Sequence, residues 1–573
     1  MVGVFGWREA SQVFRGSRRR KSRAGCEILN RLRRAAGRKD GAMLTFKATY
    51  EGTGPTITSH NPATGEPLGQ VRSFTTEEAK AAIERARAAQ KTWAEKSLNE
   101  RITYMRRFQH LLTEQADDVC RLISQENGKP LQEAMETEVM PIIDLTSYFC
   151  NNAKRILSDQ RIPLHLLKYR RSYLTYRPRG LMLIISPWNF PFTIPSGAIV
   201  MGLIAGNAVI QKPASLTPLI ALRTQEIFTE AGLDPDLFQV VPGPGVLGSR
   251  MIEMGVDYVN FTGSTAVGLR VAELCGRLLI PCSMELGGKD PAIVCDDANL
   301  DMAAGSIVWG GLANAGQVCA SVERVYAHEK IYDALVEKVV ERTKKLRVGD
   351  PSMGDVDMGP MVDPNQLKIV EHQVNDALSH GAKPLVGGKR IESPGNFFEP
   401  TVLVDVTDDM EVIRDETFGP VIPIMKYADD DEAVERSNNS EYGLNAYVYS
   451  TDRERARRIA RKLEAGTVMI NETLLTHGCP ELPWQGCKKS GLGKVHSDQG
   501  LRDLCYPYHI NEDTVLQPPA SPFWQPYSGW MYNALLASVK ALYGRGVGGR
   551  IDGLKQFFNK PNASVPTQPE VND

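Results

Sequence analysis

The chain has 573 residues, 42% hydrophobic and 24% charged, with a formal net charge of −1; by length it holds about three to four domains of ordinary globular composition. The near-neutral total hides an asymmetry, because residues 1–42 carry twelve Arg/Lys against Glu9, Glu27 and Asp40. That arm is +9 and the rest of the chain near −10, which argues against nucleic acid as the partner of the body.

In chain order, residues 1–43 are Arg-rich and acid-poor. They read as a disordered extension, as a mitochondrial presequence or anionic-surface arm, or as sequence upstream of a start at Met43. From about Pro55 the pattern becomes regular. Asn61–Gly65 predicts a turn; Glu77–Trp93, Asn99–Glu126 and Leu131–Leu157 predict helices. Ser172–Pro178 is a short polar strand candidate. Leu181–Ile185 is an apolar run of strand length that ends at Ser186-Pro187, as expected of a strand buried on both faces. Ala208–Ile210, Gln239–Val241, Tyr258–Phe261 and Ala292–Val294 repeat it, with helical stretches such as Leu219–Ala231 between. The alternation predicts an α/β fold with a parallel, doubly wound sheet, whose ligands bind at the carboxyl ends of the strands.

A second α/β block runs from about Gly288 to Gly486. After Asn511, Pro518, Pro519, Pro522 and Pro526 interrupt an aromatic stretch, and an apolar helix and a Gly/basic tail follow. No apolar run reaches the roughly 18 residues that span a bilayer. The ten cysteines form no CxxC pair, so neither a disulfide framework nor a metal site is expected and a reducing, cytoplasmic setting is.

The loops that follow the strands carry polar punctuation: Pro187-Trp188-Asn189-Phe190-Pro191, Gln211-Lys212-Pro213, Phe261-Thr262-Gly263-Ser264-Thr265 and Met284-Glu285-Leu286-Gly287-Gly288. Cys319 sits in the turn GQVCASVE, and Glu416-Thr417-Phe418-Gly419-Pro420 comes later. In this order, with Glu285 and Cys319 thirty-four positions apart, the set resembles the NAD(P)-dependent aldehyde dehydrogenase superfamily over roughly residues 45–510. The resemblance implies a Rossmann-like cofactor domain, an α/β catalytic domain and a small β oligomerisation flap. It divides the chain into 44–287 for NAD(P) (with a flap strand near 165–180), 288–486 for catalysis, 487–513 returning to the cofactor domain, and a tail at 514–573.

The chemistry also follows from residue types. Hydride leaves a tetrahedral hemithioacetal more readily than a flat carbonyl, and a thiolate is the best protein nucleophile for making one; Cys319 supplies it. By resemblance, the Asn189 amide and the Cys319 backbone N–H hold the oxyanion, and Glu285 activates the water that hydrolyses the thioester. The same resemblance makes Trp188 a wall of the substrate tunnel beside the cofactor. Phe418 would buttress the nicotinamide and Glu416 would take its ribose hydroxyls. Gly263, Ser264, Thr265 and Gly268 open a helix whose first turn faces the pyrophosphate, and Lys212 and Ser215 meet the adenosine ribose. Ser215 stands where the family often carries a glutamate, so NADP is expected beside NAD.

Gly243–Gly248 also matches GxGxxG but has no acidic ribose partner about 20 residues on; Asp257 is too close. Near the C-terminus Pro483-Trp484-Gln485-Gly486 replaces the family's phenylalanine-glycine-glycine turn, which points to an altered channel rim. A CoA-acylating relative is disfavoured by Glu285, a thioesterase leaves Lys212, Glu416 and Phe418 idle, and a non-catalytic relative would have lost Cys319, Glu285 or Asn189. The expected partners are an aldehyde, a second copy in a homodimer or homotetramer, and, through the tail, a membrane surface. Residues 514–560 carry Lys540, Arg545, Arg550, Lys555 and Lys560 against Asp552, with Met531, Leu535, Val539 and Leu542 at helical spacing; packing of that helix on a neighbouring subunit, or a lid over the tunnel, are the other readings.

Overall fold

The computed structural model describes residues 44, 46, 49–514 and 523–558; the basic extension 1–43, Pro518, Pro519, Pro522 and Lys560 lie outside them. The chain divides into two compact units, Met1–Asp159 with Thr175–Tyr508, and Gln160–Leu174 with His509–Asp573.

The strands in chain order are β1 (Thr56–His60), β2 (Pro67–Arg72), β3 (Gln160–Ile162), β4 (Arg170–Pro178), β5 (Leu181–Ile185), β6 (Ala208–Lys212), β7 (Phe238–Val240), β8 (Tyr258–Thr262) and β9 (Cys282–Glu285). They continue with β10 (Asp290–Val294), β11 (Val322–His328), β12 (Lys383–Val386), β13 (Thr401–Val404), β14 (Val421–Tyr427), β15 (Asn445–Tyr449), β16 (Thr467–Ile470), β17 (Gly491–Leu492) and β18 (Cys505–Asp513). In the first unit β1 and β2 form a hairpin whose turn is the expected Asn61–Gly65, closed by Gly65 N–H donating to the Asn61 carbonyl at 2.7 Å. A six-stranded sheet has the order β17-β9-β8-β5-β6-β7, and a seven-stranded sheet the order β12-β13-β14-β11-β10-β15-β16. Only β17 and β12 pair antiparallel within them. Each sheet has its own apolar core, one drawn from Val71 to Leu286 with Leu501–Cys505, the other from Ala292 to Met469.

Two expectations differ in detail. Ala292–Val294 lies in the seven-stranded sheet, paired with β11 and β15, and does not continue the first sheet. Cys282–Glu285 is a strand where the sequence suggested only a loop; its polar Ser283 is invisible as a core residue because Asn260 on β8 donates to its hydroxyl at 2.8 Å inside the sheet. The long helical stretches are also subdivided. Thr75/Glu78 and Ser97/Glu100 capping boxes start the helices Thr76–Glu95 and Leu98–Glu114, and a π-helical turn at Met135–Val139 interrupts the third. That extra residue per turn places Glu138, with its fully buried side chain, against Lys129.

In the second unit β3 pairs antiparallel with residues 172–174 of β4; the three-stranded sheet has the order β18-β4-β3. Its C-terminal part is a helix pair, Gly529–Tyr543 and Gly546–Phe558, tied by Lys540 Nζ donating to Gln556 Oε1 at 3.0 Å. Trp524, Tyr527, Trp530, Leu535, Val539 and Leu542 are all exposed. Among the described residues no helix is long and apolar enough to cross a membrane.

Candidate active site

Cys319 follows a turn whose backbone is strained. After the helix Leu300–Leu312, Asn314 (φ 50), Ala315 (φ 54) and Gly316 (φ 72) occupy the left-handed region in succession, a conformation that persists only where its surroundings enforce it. Here they do. Glu133 Oε2 accepts from Asn314 N–H at 2.9 Å, Gln317 Nε2 donates to the Asn314 carbonyl at 2.7 Å, and Val362 N–H donates to Gln317 Oε1 at 2.9 Å. A Cβ on Gly316 would lie 2.0 Å from the Gly419 carbonyl oxygen, and one on Gly288 would lie 2.2 Å from that of Cys319. The glycines let three chain segments converge on the thiol.

Asn189, in the loop after β5, is brought to the same place. Its Nδ2 donates to the Gln317 carbonyl at 3.0 Å, and its own carbonyl accepts from Lys129 Nζ and Asn314 Nδ2, each at 3.1 Å. The amide carries a second N–H to offer an oxyanion. Glu285 ends β9, 7% exposed, and its Oε1 makes no well-formed hydrogen bond. Burial pushes its carboxyl up to about 8. Burial also pushes the Cys319 thiol well above its ordinary value, with the carboxylates of Glu285, Asp290 and Glu416 adding to the effect; nucleophile and base sense each other across the site.

Cys319 opens onto a cavity of about 570 Å³ walled by Phe190, Ile194, Trp309, Val318, Leu474 and Trp484. Its charged lining residues are Glu133, Glu136 and Asp144, with neither lysine nor arginine among them. Trp484, 3% exposed, sets its ring edge-on to His477 at 4.9 Å, so the departure at Pro483–Gly486 does place an indole at the cavity. Trp188 stands edge-on to Phe418 at 5.5 Å, leaving the aromatic walls beside Cys319 to the other three.

Most of the residues that the resemblance assigns to the dinucleotide lie at or near the carboxyl ends of β5, β6, β8 and β9. Lys212, at the end of β6, is 5% exposed and donates to the Pro213 carbonyl at 3.0 Å; burial lowers its ammonium to about 8. A buried cation with no carboxylate partner fits ribose hydroxyls or a phosphate. Ser264 heads the helix Thr265–Leu278 without capping it through its side chain, so no side chain occupies the first-turn donors, as a pyrophosphate site would require. Gly263 donates its N–H to the Glu285 carbonyl at 3.1 Å, and a Cβ on Gly268 would meet Leu286 at 2.2 Å. Glu416 accepts from Gly288 N–H at 3.0 Å, and burial raises its carboxyl to about 8. Ser215 lies exposed in the turn between β6 and the helix Pro218–Glu230. These residues fit a dinucleotide. The Gly243–Gly248 match opens only the nine-residue helix Gly245–Glu253, and Asp257 is occupied by Arg87 at 2.9 Å and Leu181 N–H at 2.7 Å.

The residue match to the family model described as the aldehyde dehydrogenase family spans residues 49–510. The chain belongs to the aldehyde dehydrogenase family. A putative NADP(+) succinate-semialdehyde dehydrogenase of Mycobacterium bovis is 37% identical over 91% of this chain and 99% of its own length, and an NADP(+) succinate-semialdehyde dehydrogenase of Escherichia coli K12 is 37% identical over 81% and 95%. Among solved structures, an NAD-dependent aldehyde dehydrogenase from Sinorhizobium meliloti superimposes with a TM-score of 0.81 at 33% identity, covering 85% of this chain and 98% of that one. An NAD+ complex of an aldehyde dehydrogenase from Bacillus cereus gives 0.78 at 31%, covering 82% and 97%. The protein is an NAD(P)-dependent aldehyde dehydrogenase that oxidises an aldehyde to the acid.

Sequence reasoning missed the supports of this aldehyde dehydrogenase site. Lys129 donates to Glu138 Oε1 at 2.6 Å, and Glu138 Oε2 accepts from Phe192 and Thr193 N–H, fixing the loop that carries Asn189. Lys289 donates to Glu323 at 2.6 Å, and that carboxylate accepts from Thr417 and Phe418 N–H at 2.8 and 2.9 Å, holding Phe418 at φ 50. Glu323-Arg324 at the head of the apolar strand VERVYAH was the one visible signal, a charge where the pattern calls for core.

Proposed function

We propose that this aldehyde dehydrogenase acts on an uncharged, largely apolar aldehyde and accepts NADP beside NAD, through the residue roles read from the sequence. Cys319 Sγ adds to the carbonyl carbon, and the developing oxyanion takes hydrogen bonds from Asn189 Nδ2 and the Cys319 N–H. Phe418 and Glu416 would hold the nicotinamide and its ribose, and that ring would supply the hydride acceptor when bound. Glu285 then takes a proton from the water that attacks the thioester, breaking the C–S bond and freeing the acid. The Glu285 base favours hydrolysis over transfer to CoA. In this reading 44–287, with 487–513, hold the dinucleotide and 288–486 carry the chemistry.

The substrate class rests on one observation: the cavity at Cys319 is apolar and its charged groups are carboxylates. A second carboxylate on the substrate, about 4 Å from one of them, would meet a repulsion of about 1–4 kcal/mol, roughly 5- to 1,000-fold in affinity. On this reading the chain takes a different aldehyde from the one named in its succinate-semialdehyde relatives. The cofactor reading rests on Ser215, which offers a hydroxyl in place of a carboxylate that would repel a 2′-phosphate, with Lys212 supplying a cation. Reduction of each nucleotide, followed by absorbance over aliphatic, aromatic and carboxylated aldehydes, tests both. Medium-chain and aromatic aldehydes should exceed succinate semialdehyde in kcat/KM by tenfold or more, and Ser215→Glu should move the NADP/NAD ratio toward NAD by roughly tenfold. Succinate semialdehyde as the best substrate, or an unmoved ratio in the variant, overturns the corresponding half.

We further infer assembly as a homodimer or homotetramer through the flap strands, and a cytoplasmic enzyme with peripheral membrane contact through its tail. β18 is an edge strand with exposed Tyr506, Tyr508 and Ile510, a ready template for pairing. The helix pair exposes aromatics alongside Lys540, Arg545, Arg550 and Lys555, the composition of an interfacial element. Flotation with anionic liposomes should carry the full chain and leave behind a truncation after Asn511; equal recovery of both removes the membrane role.

A further inference from the structure

Glu285 does not line the cavity that holds Cys319. It lines a second, small cavity of about 20 Å³, with Asn260, Thr262, Ser283, His477, Lys494 and His496 supplying most of its polar surface. That volume suits a single water. Three buried polar atoms on its walls make no well-formed hydrogen bond: His496 Nδ1, and Glu285 Oε1 and Thr262 Oγ1, which lie near enough for Thr262 to steady the carboxylate. Such atoms are rare in native interiors and call for an explanation.

The two histidines are arranged to supply one. His496 and His477 face each other with ring centroids 4.9 Å apart at 61°. His477, on the turn Leu475–Gly478, lines both the small cavity and the 570 Å³ cavity of Cys319; Ile194 is the other residue shared by both linings. His496 heads the helix Ser497–Asp503 at φ 61, followed by Ser497 at φ 59, and this uncommon backbone turns its ring inward, 7% exposed. The other titratable groups facing the pair are Tyr258 on β8 and Lys494; Trp484 closes the far side of His477. Burial depresses His477 to about 4 and His496 to about 3, so both rings are neutral in the working range. Each then offers one N–H and one bare nitrogen, as a proton relay requires.

The reaction needs such a path. An aldehyde and a water become a carboxylate, a hydride and two protons. The carboxylate base that collects one of those protons from the attacking water must shed it before the next turnover.

We propose that His496 and His477, bridged to Glu285 by one water in the small cavity, form the route by which that proton reaches the substrate cavity and solvent. The proposal rests on the assignment of Glu285 as the deacylation base. The water accepts the proton from Glu285 and gives one to His496; His496 passes one to His477, which releases one into the larger cavity. Glu285 is then the carboxylate that began the turnover, the water is unchanged, and each imidazole is left as its other neutral tautomer, which a ring flip resets.

The test compares His477→Gln, His496→Gln and Glu285→Gln in the full chain, by stopped-flow and steady-state reduction of NADP. Glutamine keeps hydrogen bonding but cannot relay. The histidine variants should show a first-turnover burst of normal rate and amplitude and a steady-state rate about 10- to 100-fold lower. Their solvent deuterium isotope effect should rise, and imidazole should partly rescue His477→Ala. A purely structural role would instead shrink the burst and leave the isotope effect unmoved, which overturns the relay. If Glu285→Gln stalls while both histidine variants turn over within twofold of the wild type from pH 6 to 9, the relay fails alone. If Glu285→Gln itself turns over normally, the assignment of the base fails and the relay with it.

Discussion

Cys319→Ala should give a folded protein whose oxidation of every aldehyde falls by on the order of 10⁶, the loss seen when other enzymes lose their nucleophile. No other described cysteine is placed to substitute. Cys120, Cys150, Cys275, Cys295 and Cys505 are buried in the packing, Cys282 and Cys487 do not line the cavity, and Cys479, which does, donates its thiol to the Leu475 carbonyl. The fold should tolerate the change, because the turn is held by Asn314, Gln317 and Glu133 and not by the thiol. Removing one sulfur from a cavity wall costs about 1 kcal/mol or less. Thermal melting should therefore shift by only a few degrees. Turnover within tenfold of the wild type would remove Cys319 from the reaction.

Glu285→Gln should separate the two halves of that reaction. Reduction of one equivalent of nucleotide per active site should proceed normally, because forming and oxidising the hemithioacetal does not require the water. Steady-state turnover should then fall by about 10²- to 10⁴-fold, the range for a general base. Hydroxylamine, which attacks a thioester without a base, should restore turnover. The pH dependence has a definite sign. Only the ionised carboxylate accepts the water's proton, and burial has raised that carboxyl to about 8; turnover limited by deacylation should climb as pH rises through about 8 and level off above. The glutamine variant should lose this rise. A variant with no burst, or with an unchanged pH profile, would move the base elsewhere.

What the sequence disclosed follows the physics of burial. Strands such as Leu181–Ile185 are apolar on both faces and appear as uninterrupted runs with clear ends, so β5 is found where it was expected. The residues at and just past the strand ends are polar because the sheet ends there, which is why Asn189 and Lys212 stood out, while Glu285 was picked out by the family resemblance. The supports were not. Lys129, Glu138, Lys289 and Glu323 read individually as surface charges, and only the fold shows that each pair neutralises itself in the interior. His477 and His496 are nineteen positions apart on an irregular segment, where no periodicity announces that two rings will meet. β9 was hidden for a related reason, since Ser283 and Asn260 satisfy each other inside the sheet.

The cavity beside Cys319 is walled by three short stretches, residues 133–144, 309–320 and 474–484, together with Phe190 and Ile194. The first and third contain none of the residues assigned to the dinucleotide. On the proposed reading, substrate preference is thus set apart from the redox half, although Glu133 and Glu138 in the first stretch must stay, since they hold the Cys319 turn and the Asn189 loop. A combinatorial library confined to Met140, Leu474, Leu475 and Trp484 would sample new aldehydes without disturbing the nucleotide, and divergence among close relatives should concentrate there.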